Sequence, residues 1–408
     1  MLEKRHVDFP LETLLQEDSE KRKLMTQVQR LKHTRNVVSN QISELKKKSM
    51  ETSAKIEEMK NISREIEEID SRIKQLESSV HELMMRLPNI PGESVPVGID
   101  ENDNVETRRW REPTHFNYSA LDHIDLGLKL GLIDIERAAK IAGARFYFLR
   151  GDLVRLNYAL IQFALDFLKK KGFSLVQPPY MLKKEAIAGA VILSDFEDMI
   201  YKVDGEDLYL IGTAEHPLAA MHMGEVIDSS LLPLRYAGIS PCFRKEAGAH
   251  GRDTKGIFRV HQFEKVEQFI FCDTQDSLKE HEEMIRNAEE FFQLLKLPYR
   301  VVILCTGNMG KVAAKTYDLE VWLPGQGKYR EAVSCSNCTD YQARALNIKS
   351  RKRPHEEAHL IHTLNSTLVA TERTLVAIIE NYQQKDGSVV VPDVLQPYVG
   401  GTDVMRAA

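Results

Sequence analysis

The sequence predicts an α+β fold, in which an antiparallel sheet with helices packed on it follows an antiparallel two-helix coiled-coil arm. Apolar residues at heptad spacing mark two long helices near the N-terminus. Beyond a linker rich in Pro, Gly and acidic residues, strand-like runs follow one another instead of alternating with helices as in a doubly wound sheet. We therefore predict two domains: residues 1–104 form the arm and its linker, and residues 105–408 form the sheet domain.

The two arm helices each carry a narrow apolar seam. The first seam runs through Leu24, Val28, Leu31, Val38, Ile42 and Leu45, with Arg35 at the one position that lacks an apolar residue. The second runs through Ile62, Ile66, Ile69, Ile73, Leu76, Val80, Leu83 and Leu87. Because neither stripe is wide enough to join a larger core, we expect the helices to bury their seams against each other. Pro88 and Pro91 should end the second helix.

Charge is divided unevenly between these helices. Residues 21–48 hold nine basic side chains and one acidic one, whereas residues 51–82 hold five basic and nine acidic ones. The opposite charges could simply complement each other across the seam. Alternatively, the first helix contacts an RNA backbone, which a chain of net charge −5 can do only through such a local basic face. The candidate contacts are Arg30, Lys32, Arg35, Lys46, Lys47 and Lys48.

Composition excludes several other classes of protein. The chain is 43% hydrophobic and 28% charged, with no apolar run long enough to span a membrane and no secretory signal at its N-terminus. Five scattered cysteines argue against a disulfide framework and favour a reducing, cytoplasmic setting. Neither GxGxxG nor GxxxxGK[ST] occurs, so a nucleotide would have to bind on the sheet.

The second domain contains short strand-like runs flanked by helical ones. The strand-like runs begin at residues 207 (DLYLIG), 234 (LRYAGI), 258 (FRVHQFEKVEQFIFC), 299 (YRVVILC), 317 (YDLEVWLP) and 329 (YREAVSC). Helices are predicted over residues 153–171, 277–295 and 364–382.

The stretch from Phe243 to Phe269 predicts a nucleotide site. Arg244 and Glu246 stand two residues apart and should share one strand face; the turn-rich residues 247–256 then reverse the chain. On the return strand, the same parity groups Arg259, His261, Phe263, Lys265 and Glu267. A guanidinium for a phosphate, a carboxylate for an exocyclic amine and an aromatic plate for a base would meet on one hairpin. The alternative is a charged hairpin with a core phenylalanine.

This stretch resembles motif 2 of the class II aminoacyl-tRNA synthetases, and its FRKEAG and VHQFEKVEQF segments resemble the seryl-tRNA synthetase family in particular. The same family resemblance extends to IGTAEHPL (211–218), KTYDLEVWLPGQGKYREAVSCSN (315–337), YQARA (341–345) and HTLNST with TERTLVAIIENYQ (362–383). It covers essentially the whole chain. It implies a class II catalytic domain that activates L-serine with ATP and Mg²⁺ and transfers it to the serine tRNA, with the selenocysteine tRNA as a further candidate.

The resemblance also implies roles for individual residues. Arg244 would bridge the ATP α-phosphate and the serine carboxylate, Glu246 would accept from the adenine amine, Phe263 would stack on adenine, and Arg373 would hold the γ-phosphate. The residues expected around serine are Thr213, Ala214, Glu215, Arg244, Glu267, Asn365 and Thr367, and those around ATP are Arg244, Lys245, Glu246, Phe263, Glu331, Ser334 and Arg373. Glu331 and Ser334 would hold Mg²⁺, and Arg244, Glu331 and Arg373 would be catalytic. Pro178 or Pro179 matches a proline at the interface of a homodimer.

Two sequence features and one alternative within the family suggest other functions. His355, Glu356 and His359 spell HExxH, a zinc-protease pattern that requires a helix, whereas Pro354 favours a surface loop or short helix. Cys335 and Cys338 form a single CxxC without a second pair. A repurposed synthetase paralogue that charges no tRNA would be expected to lose the arm or to replace Arg244, Glu331 or Arg373. One small departure from the family is Asn308, where an aspartate is usual.

Overall fold

The computed structural model describes residues 1–192, 197–247 and 255–407, and these form two compact units. One unit comprises Val7–Leu87 with Leu2, and the other comprises Met1, Glu3–His6 and Pro88–Ala408. The predicted α+β class, with a two-helix arm and an antiparallel sheet, is confirmed. Among the described residues, no helix combines the length and apolar character that crossing a membrane requires.

The arm unit consists of helices α1 (Leu11–Lys47) and α2 (Ser53–Arg86). Their apolar seams pack as the heptads predict: Val28 lies against Ile66, Ile69 and Ile73, and Leu14 lies near Val80 at the other end of α2, as an antiparallel pair requires. Opposite charges also meet across the helices, since Lys32 pairs with Asp70 at 3.0 Å and Arg72 pairs with Glu20 at 2.9 Å. Lys46, Lys47 and Lys48 are exposed where α1 ends.

The second unit contains the remaining helices and all the strands that the described residues form. The helices are α3 (His123–Lys129), α4 (Ile135–Ala142), α5 (Asp152–Lys170), α6 (Lys184–Ala190), α7 (Glu215–Ala220), α8 (Ser277–Leu294), α9 (Tyr341–Ala345) and α10 (Thr371–Asn381). The strands are β1 (Val105–Trp110), β2 (Ile133–Asp134), β3 (Phe148–Leu149), β4 (Ser174–Val176), β5 (Met181–Leu182), β6 (Tyr209–Leu210), β7 (Val226–Asp228), β8 (Leu234–Phe243), β9 (Gln262–Cys272), β10 (Tyr299–Ile303), β11 (Lys315–Leu323), β12 (Lys328–Asn337), β13 (Lys349–Arg351), β14 (His359–Leu360), β15 (His362–Ala370), β16 (Val389–Val390) and β17 (Val404–Met405).

One large sheet organises this unit, with the strand order β1-β10-β11-β12-β15-β9-β8-β4. Neighbouring strands are antiparallel except at one edge, where the short β4 runs parallel to β8. Helices α5, α8 and α10 bury their apolar sides against one face of the sheet in a continuous core. The prediction of an antiparallel sheet with packed helices therefore holds, with a single parallel pair added at the edge.

The two faces of the sheet differ in chemistry because strand side chains alternate. In β15, Leu364 and Leu368 belong to the helix-covered core, while Asn365 and Thr367 line a cavity on the other face. Strands β9, β11 and β12 repeat this division, and their cavity-facing residues include Lys265, Glu267, Thr316, Asp318, Ser334 and Ser336. The alternation thus concentrates polar side chains from neighbouring strands on one side of the sheet.

Two local predictions need correction. The helix predicted over residues 364–382 is strand β15 up to Ala370 and helix α10 only from Thr371. Strand β15 lies buried between β12 and β9. Such a strand carries a largely apolar run, which periodicity alone does not distinguish from a buried helix. Arg244 and Glu246 do not share a strand face: β8 ends at Phe243, and Glu246 has a left-handed φ of 48°. Of the predicted turn at 247–256, residues 248–254 lie outside the described residues.

The linker also differs from expectation. Residues 88–104, which the sequence grouped with the arm, belong to the sheet unit. They are held there by specific bonds: the Asn89 amide donates to the Val312 carbonyl at 2.9 Å, the Gly92 N–H donates to Ala314 at 2.8 Å, and Val95 is buried beside Val302.

Candidate active site

The polar face of the sheet forms the floor of a cavity of ≈ 1370 Å³. Most of the predicted site residues line it: Thr213, Glu215, Arg244, Glu246, Phe263, Glu267, Glu331, Ser334, Asn365, Thr367 and Arg373. Two predicted residues do not. The Ala214 side chain lies in an apolar cluster with Leu218, and the Lys245 ammonium lies 5.8 Å from the centre of the Tyr201 ring.

Arg244 directly follows β8 and is oriented from two sides. Its Nε donates to the Gly212 carbonyl at 3.0 Å, and its guanidinium carbon lies 5.2 Å from the centre of the Phe263 ring. Its backbone is paired with His261, whose carbonyl accepts from the Arg244 N–H at 2.9 Å. His261 therefore supports the backbone here and does not line the cavity. A fixed guanidinium over an aromatic ring is well suited to bind an anionic ligand that carries a planar base.

The Glu246 carboxylate faces Arg259, whose Nη1 donates to Glu246 Oε2 at 2.7 Å. The sequence predicted both residues on strands of one hairpin, but neither lies on a strand, because β8 ends at Phe243 and β9 begins only at Gln262. The ring of Phe258, also on the cavity wall, lies under two cations, with the Arg330 guanidinium at 4.1 Å and the Arg373 guanidinium at 5.1 Å from its centre. This end of the cavity thus combines aromatic surface with several arginines, as ATP binding requires.

Beyond Arg244, the cavity has a second, acidic end. Glu215 Oε1 accepts from the side-chain amides of Gln342 at 2.9 Å and Asn365 at 3.0 Å. Burial raises the pKa of Glu215 to about 7, and the nearby Glu267 carboxylate adds to this effect. Burial also raises the pKa of Glu267, which forms a close ion pair with Lys265. Carboxylates held in this way by hydrogen-bonding neighbours are groups that can accept hydrogen bonds from an ammonium ligand.

The hairpin of β11 and β12 supplies a second acidic group. Arg373 Nη1 donates to Glu331 Oε1 at 2.9 Å, and this guanidinium is the main cause of the lowered pKa of Glu331. Asp318 pairs with Ser334 across the two strands; burial, followed by the charge of Glu331, raises the Asp318 pKa. Among the described residues, the buried Asp318 Oδ1 has no hydrogen-bond partner. Carboxylate and hydroxyl oxygens are donors that Mg²⁺ accepts, so these residues fit the ion that the family implies.

Sequence reasoning missed several residues of this site. Lys265 was noted only by strand parity, and Asp318, Gln342 and Cys338 were not assigned to the cavity at all, although Asp318 and Cys338 line it and Gln342 binds Glu215. Asp318 could have been found from the strand alternation that places it on the same face as Glu320. Gln342 had no such signal, because it reaches Glu215 from the separate helix α9.

The rival motifs take ordinary positions. His355 lies in a turn and His359 in the short strand β14, so HExxH is not helical and its imidazoles do not share a helix face. Cys335 and Cys338 are buried free thiols, and burial raises the pKa of both. Within the described ranges, no group of three or more His, Cys, Asp or Glu side chains is arranged to hold a metal.

The antiparallel sheet, the cavity on its polar face and the arginines at its nucleotide end define a class II aminoacyl-tRNA synthetase. The family model of the class II core domain for the G, H, P, S and T enzymes matches residues 199–382. The chain belongs to the seryl-tRNA synthetase family: the N-terminal domain model of that family matches residues 1–91, and a serine–tRNA ligase of Nitrosopumilus maritimus is 55% identical over 98% of this chain and 95% of that protein.

Solved structures of seryl-tRNA synthetases have the same fold. A seryl-tRNA synthetase from Pyrococcus horikoshii, complexed with ATP, superposes with a TM-score of 0.93 at 48% identity, covering 97% of this chain and 93% of that one. A cytoplasmic serine–tRNA ligase from Naegleria fowleri, in complex with AMP, superposes with a TM-score of 0.89 at 40% identity, covering 100% and 94%.

Proposed function

We propose that this protein activates L-serine with ATP to form seryl-adenylate and then transfers the seryl group to the serine tRNA. The observation that carries the proposal is one continuous cavity that brings arginines and aromatic rings together with the buried Glu267 and the partly buried Glu215. That distribution suits a polyanionic nucleotide beside a small amino acid. Family membership over nearly the whole chain supports the same reaction.

In the first step, a carboxylate oxygen of serine attacks the α-phosphorus of ATP and pyrophosphate leaves. Two anions must approach each other, so fixed positive charge contributes more than covalent help from the protein. Arg244, at the boundary between the two ends of the cavity, would contact both the α-phosphate and the serine carboxylate. Arg373 would hold the γ-phosphate after leaving Glu331, and Phe263 and Glu246 would bind adenine. When Mg²⁺ is bound, it supplies charge neutralisation on the phosphates; Glu331 and Ser334 would hold it, with Asp318 beside them.

The acidic end would select serine. Glu215, Glu267 and Thr213 would bind the ammonium group, and Thr367 with Asn365 would lie near the hydroxyl. Thr367 and Glu267 are register partners on β15 and β9, which brings their side chains together on the cavity floor. A site built to hydrogen-bond the hydroxyl discriminates strongly against alanine, because its buried polar groups would otherwise lose their partner.

The second step requires tRNA. We propose that the basic side chains of α1, among them Arg30, Arg35 and Lys46 to Lys48, contact the tRNA backbone, with Lys32 released from Asp70 for the purpose. The match of residues 1–91 to the N-terminal domain model supports this use of the arm and argues against the paralogue that charges no tRNA. Use of the selenocysteine tRNA remains a prediction that charging of that tRNA would test.

We also propose that the enzyme is a homodimer in the cytoplasm. The edge strand β4 exposes Leu175 (45%) shortly before Pro178 and Pro179, and α5 exposes Tyr158 (62%). An open sheet edge with apolar side chains is a natural site for a second subunit. Light scattering on the purified protein, with Leu175→Lys as the disrupting variant, tests this.

A pyrophosphate-exchange assay with each of the proteinogenic amino acids tests the activity. We expect exchange with serine and little with alanine or threonine. Exchange that depends on a different amino acid, or the absence of any exchange by correctly folded protein, would refute the proposed function. Charging of purified serine tRNA then separates a complete synthetase from an activating enzyme that cannot use tRNA.

A further inference from the structure

One loop of the cavity wall, residues 309–313, is held by two residues that are far away in the sequence. Arg5, at the end of a short 3-10 turn, is almost fully buried, with 4% of its surface exposed. Its guanidinium donates to three carbonyls of the loop: to Gly310 at 2.7 Å, to Ala313 at 3.2 Å and to Met309 at 3.4 Å. Hydrogen bonds from a charged donor are stronger than neutral ones, so Arg5 is a firm anchor.

Asn89 binds the two carbonyls between them. Its backbone N–H donates to Lys311 at 2.8 Å, and its side-chain amide donates to Val312 at 2.9 Å. Asn89 is 7% exposed. Arg5 and Asn89 together therefore occupy the carbonyls of all residues from 309 to 313. Polar groups buried this deeply are stable only when they are bonded, which makes the arrangement specific.

The loop belongs to the catalytic cavity. Gly310, Lys311, Val312 and Ala313 line it, and Met309 and Ala313 also belong to an apolar cluster with Val95 and Val302. The loop thus has one side on the core and the other on the site, and its backbone position defines part of the wall.

A chain of contacts leads from Asn89 to the acidic end of the cavity. The Asn89 amide also donates to the Cys338 carbonyl at 2.8 Å. The Cys338 thiol accepts from Asn365 at 3.4 Å, and the same Asn365 amide donates to Glu215 at 3.0 Å. A shift of Asn89 would therefore displace both the loop and the residues that we place around serine.

We propose that Arg5 and Asn89 are positioning residues for amino-acid activation: both hold the 309–313 loop in the cavity wall, and Asn89 also holds Cys338 beside Asn365. This inference rests on the proposed function. Neither residue lines the cavity itself, so each acts through the backbone that it binds. The effect of Asn89 should fall on serine more than on ATP, because its contacts lead through Cys338 to Asn365 and Glu215. Arg5 should act in the same direction through the loop that it shares with Asn89.

The test measures KM for serine and for ATP, with kcat, in pyrophosphate exchange by Asn89→Asp, Arg5→Ala and Arg5→Lys. Asn89→Asp keeps the side-chain shape but cannot donate to Val312 and Cys338. Because small displacements of positioned groups have large kinetic effects, we expect the serine KM of Asn89→Asp and Arg5→Ala to rise about tenfold or more, with the ATP KM within about twofold of wild type. Arg5→Lys, which keeps the charge and part of the donor capacity, should recover part of the loss.

Two control variants distinguish a loss of positioning from a general effect of a substitution on the enzyme. Lys4→Ala and Asn117→Ala change an exposed basic residue and an exposed asparagine, and they should leave both KM values unchanged. Melting temperatures identify any variant that fails to fold, and Asn89→Asp then carries the test. Unchanged serine KM in the folded variants, or equal rises in both KM values, would overturn the proposal. If wild-type protein shows no exchange with serine, the proposed function fails instead, so the two failures are distinguishable.

Discussion

Glu215 is a partly buried acid whose ionisation should control serine binding. Its pKa lies at about 7, above its ordinary value of 4.5, because burial and the Glu267 carboxylate both disfavour the charged form. The folded state therefore holds this proton more tightly than the unfolded chain does. The protonated group contributes its full stabilisation of the fold below pH 4.5, and this stabilisation is lost as pH rises to about 7. Binding of an ammonium group is instead favoured at higher pH, because it requires the ionised carboxylate.

We therefore predict that the serine KM of the enzyme falls as pH rises through about 7. In Glu215→Gln, KM should stay close to the high wild-type value of low pH, and its dependence near neutrality should be much weaker. Pyrophosphate exchange at saturating ATP across this range measures both quantities. A Glu215→Gln variant that keeps the wild-type pH profile would show that another group is responsible, with Glu267 as the first candidate.

Arg244 is the second residue with a distinct expected effect. Removing its guanidinium in Arg244→Ala deletes the charge that we place between the α-phosphate and the serine carboxylate. Serine-dependent exchange should fall by roughly a hundredfold or more, as for the loss of a preorganised transition-state donor. The melting temperature should change little, since Arg244 is only partly buried and its side-chain hydrogen bond is to a single carbonyl. Exchange within about tenfold of wild type would contradict the role.

At the scale of elements, the β11–β12 hairpin concentrates acidic groups in one place. A register shift after Leu319 sets Glu320 opposite Glu331, while Asp318 remains opposite Ser334. The bulge therefore brings three carboxylates onto a short stretch of the cavity floor, where Arg373 and Arg300 balance two of them. On the proposed function, Arg373 would leave Glu331 for the ATP phosphates, and Glu331 would then be available to a divalent ion.

Glu331→Gln should therefore change the Mg²⁺ dependence of activation. The amide keeps the size but loses a hard anionic ligand, so exchange should be slower and should recover only in part when Mg²⁺ is raised. A Mg²⁺ titration of exchange rates measures this, with the exposed Glu283→Gln as the control. If the rate and the Mg²⁺ optimum of Glu331→Gln match those of wild type, Glu331 has no part in the metal site.

At the scale of the whole molecule, the division into two units predicts that the two half-reactions can be separated. Replacing Lys46, Lys47 and Lys48 with glutamate should weaken tRNA charging and leave serine-dependent exchange unchanged, because these exposed residues belong to the arm unit. For every lysine that no longer binds a phosphate, the dependence of log affinity on log salt should flatten by roughly 0.7 to 0.9. The weakening should be similar for tRNAs of the same shape, since lysines on phosphates read no bases.

The chain offers a matched control for this variant. Lys169, Lys170 and Lys171 are also three exposed lysines where a helix ends, but they belong to the sheet unit. Replacing them with glutamate changes the net charge equally and should leave charging intact. If charging and exchange fall together in the arm variant, or if both triple variants lose charging alike, the tRNA role of this end of α1 is wrong.

What the sequence by itself determined was periodic or local. The heptad seams predicted the arm, because a narrow apolar stripe that repeats every 3.5 residues is buried most simply against the matching stripe of an antiparallel helix. Strand alternation grouped Phe263, Lys265 and Glu267, and the order of strand-like runs predicted an antiparallel sheet, because both depend on short stretches of chain. The family resemblance then predicted most of the cavity residues, including Arg244, Glu331 and Arg373.

Only the tertiary structure decided what depends on distant pairing. Residues 364–370 become a strand because β9 and β12 lie on either side of them, and Glu246 turns away from β8 because the backbone there adopts a left-handed φ. The burial of Asp318 and the contacts of Arg5 with a loop some 300 residues later have no local signal. Side-chain periodicity reports which face a residue occupies, whereas partners, burial and ionisation are set by the segments that fold against that face.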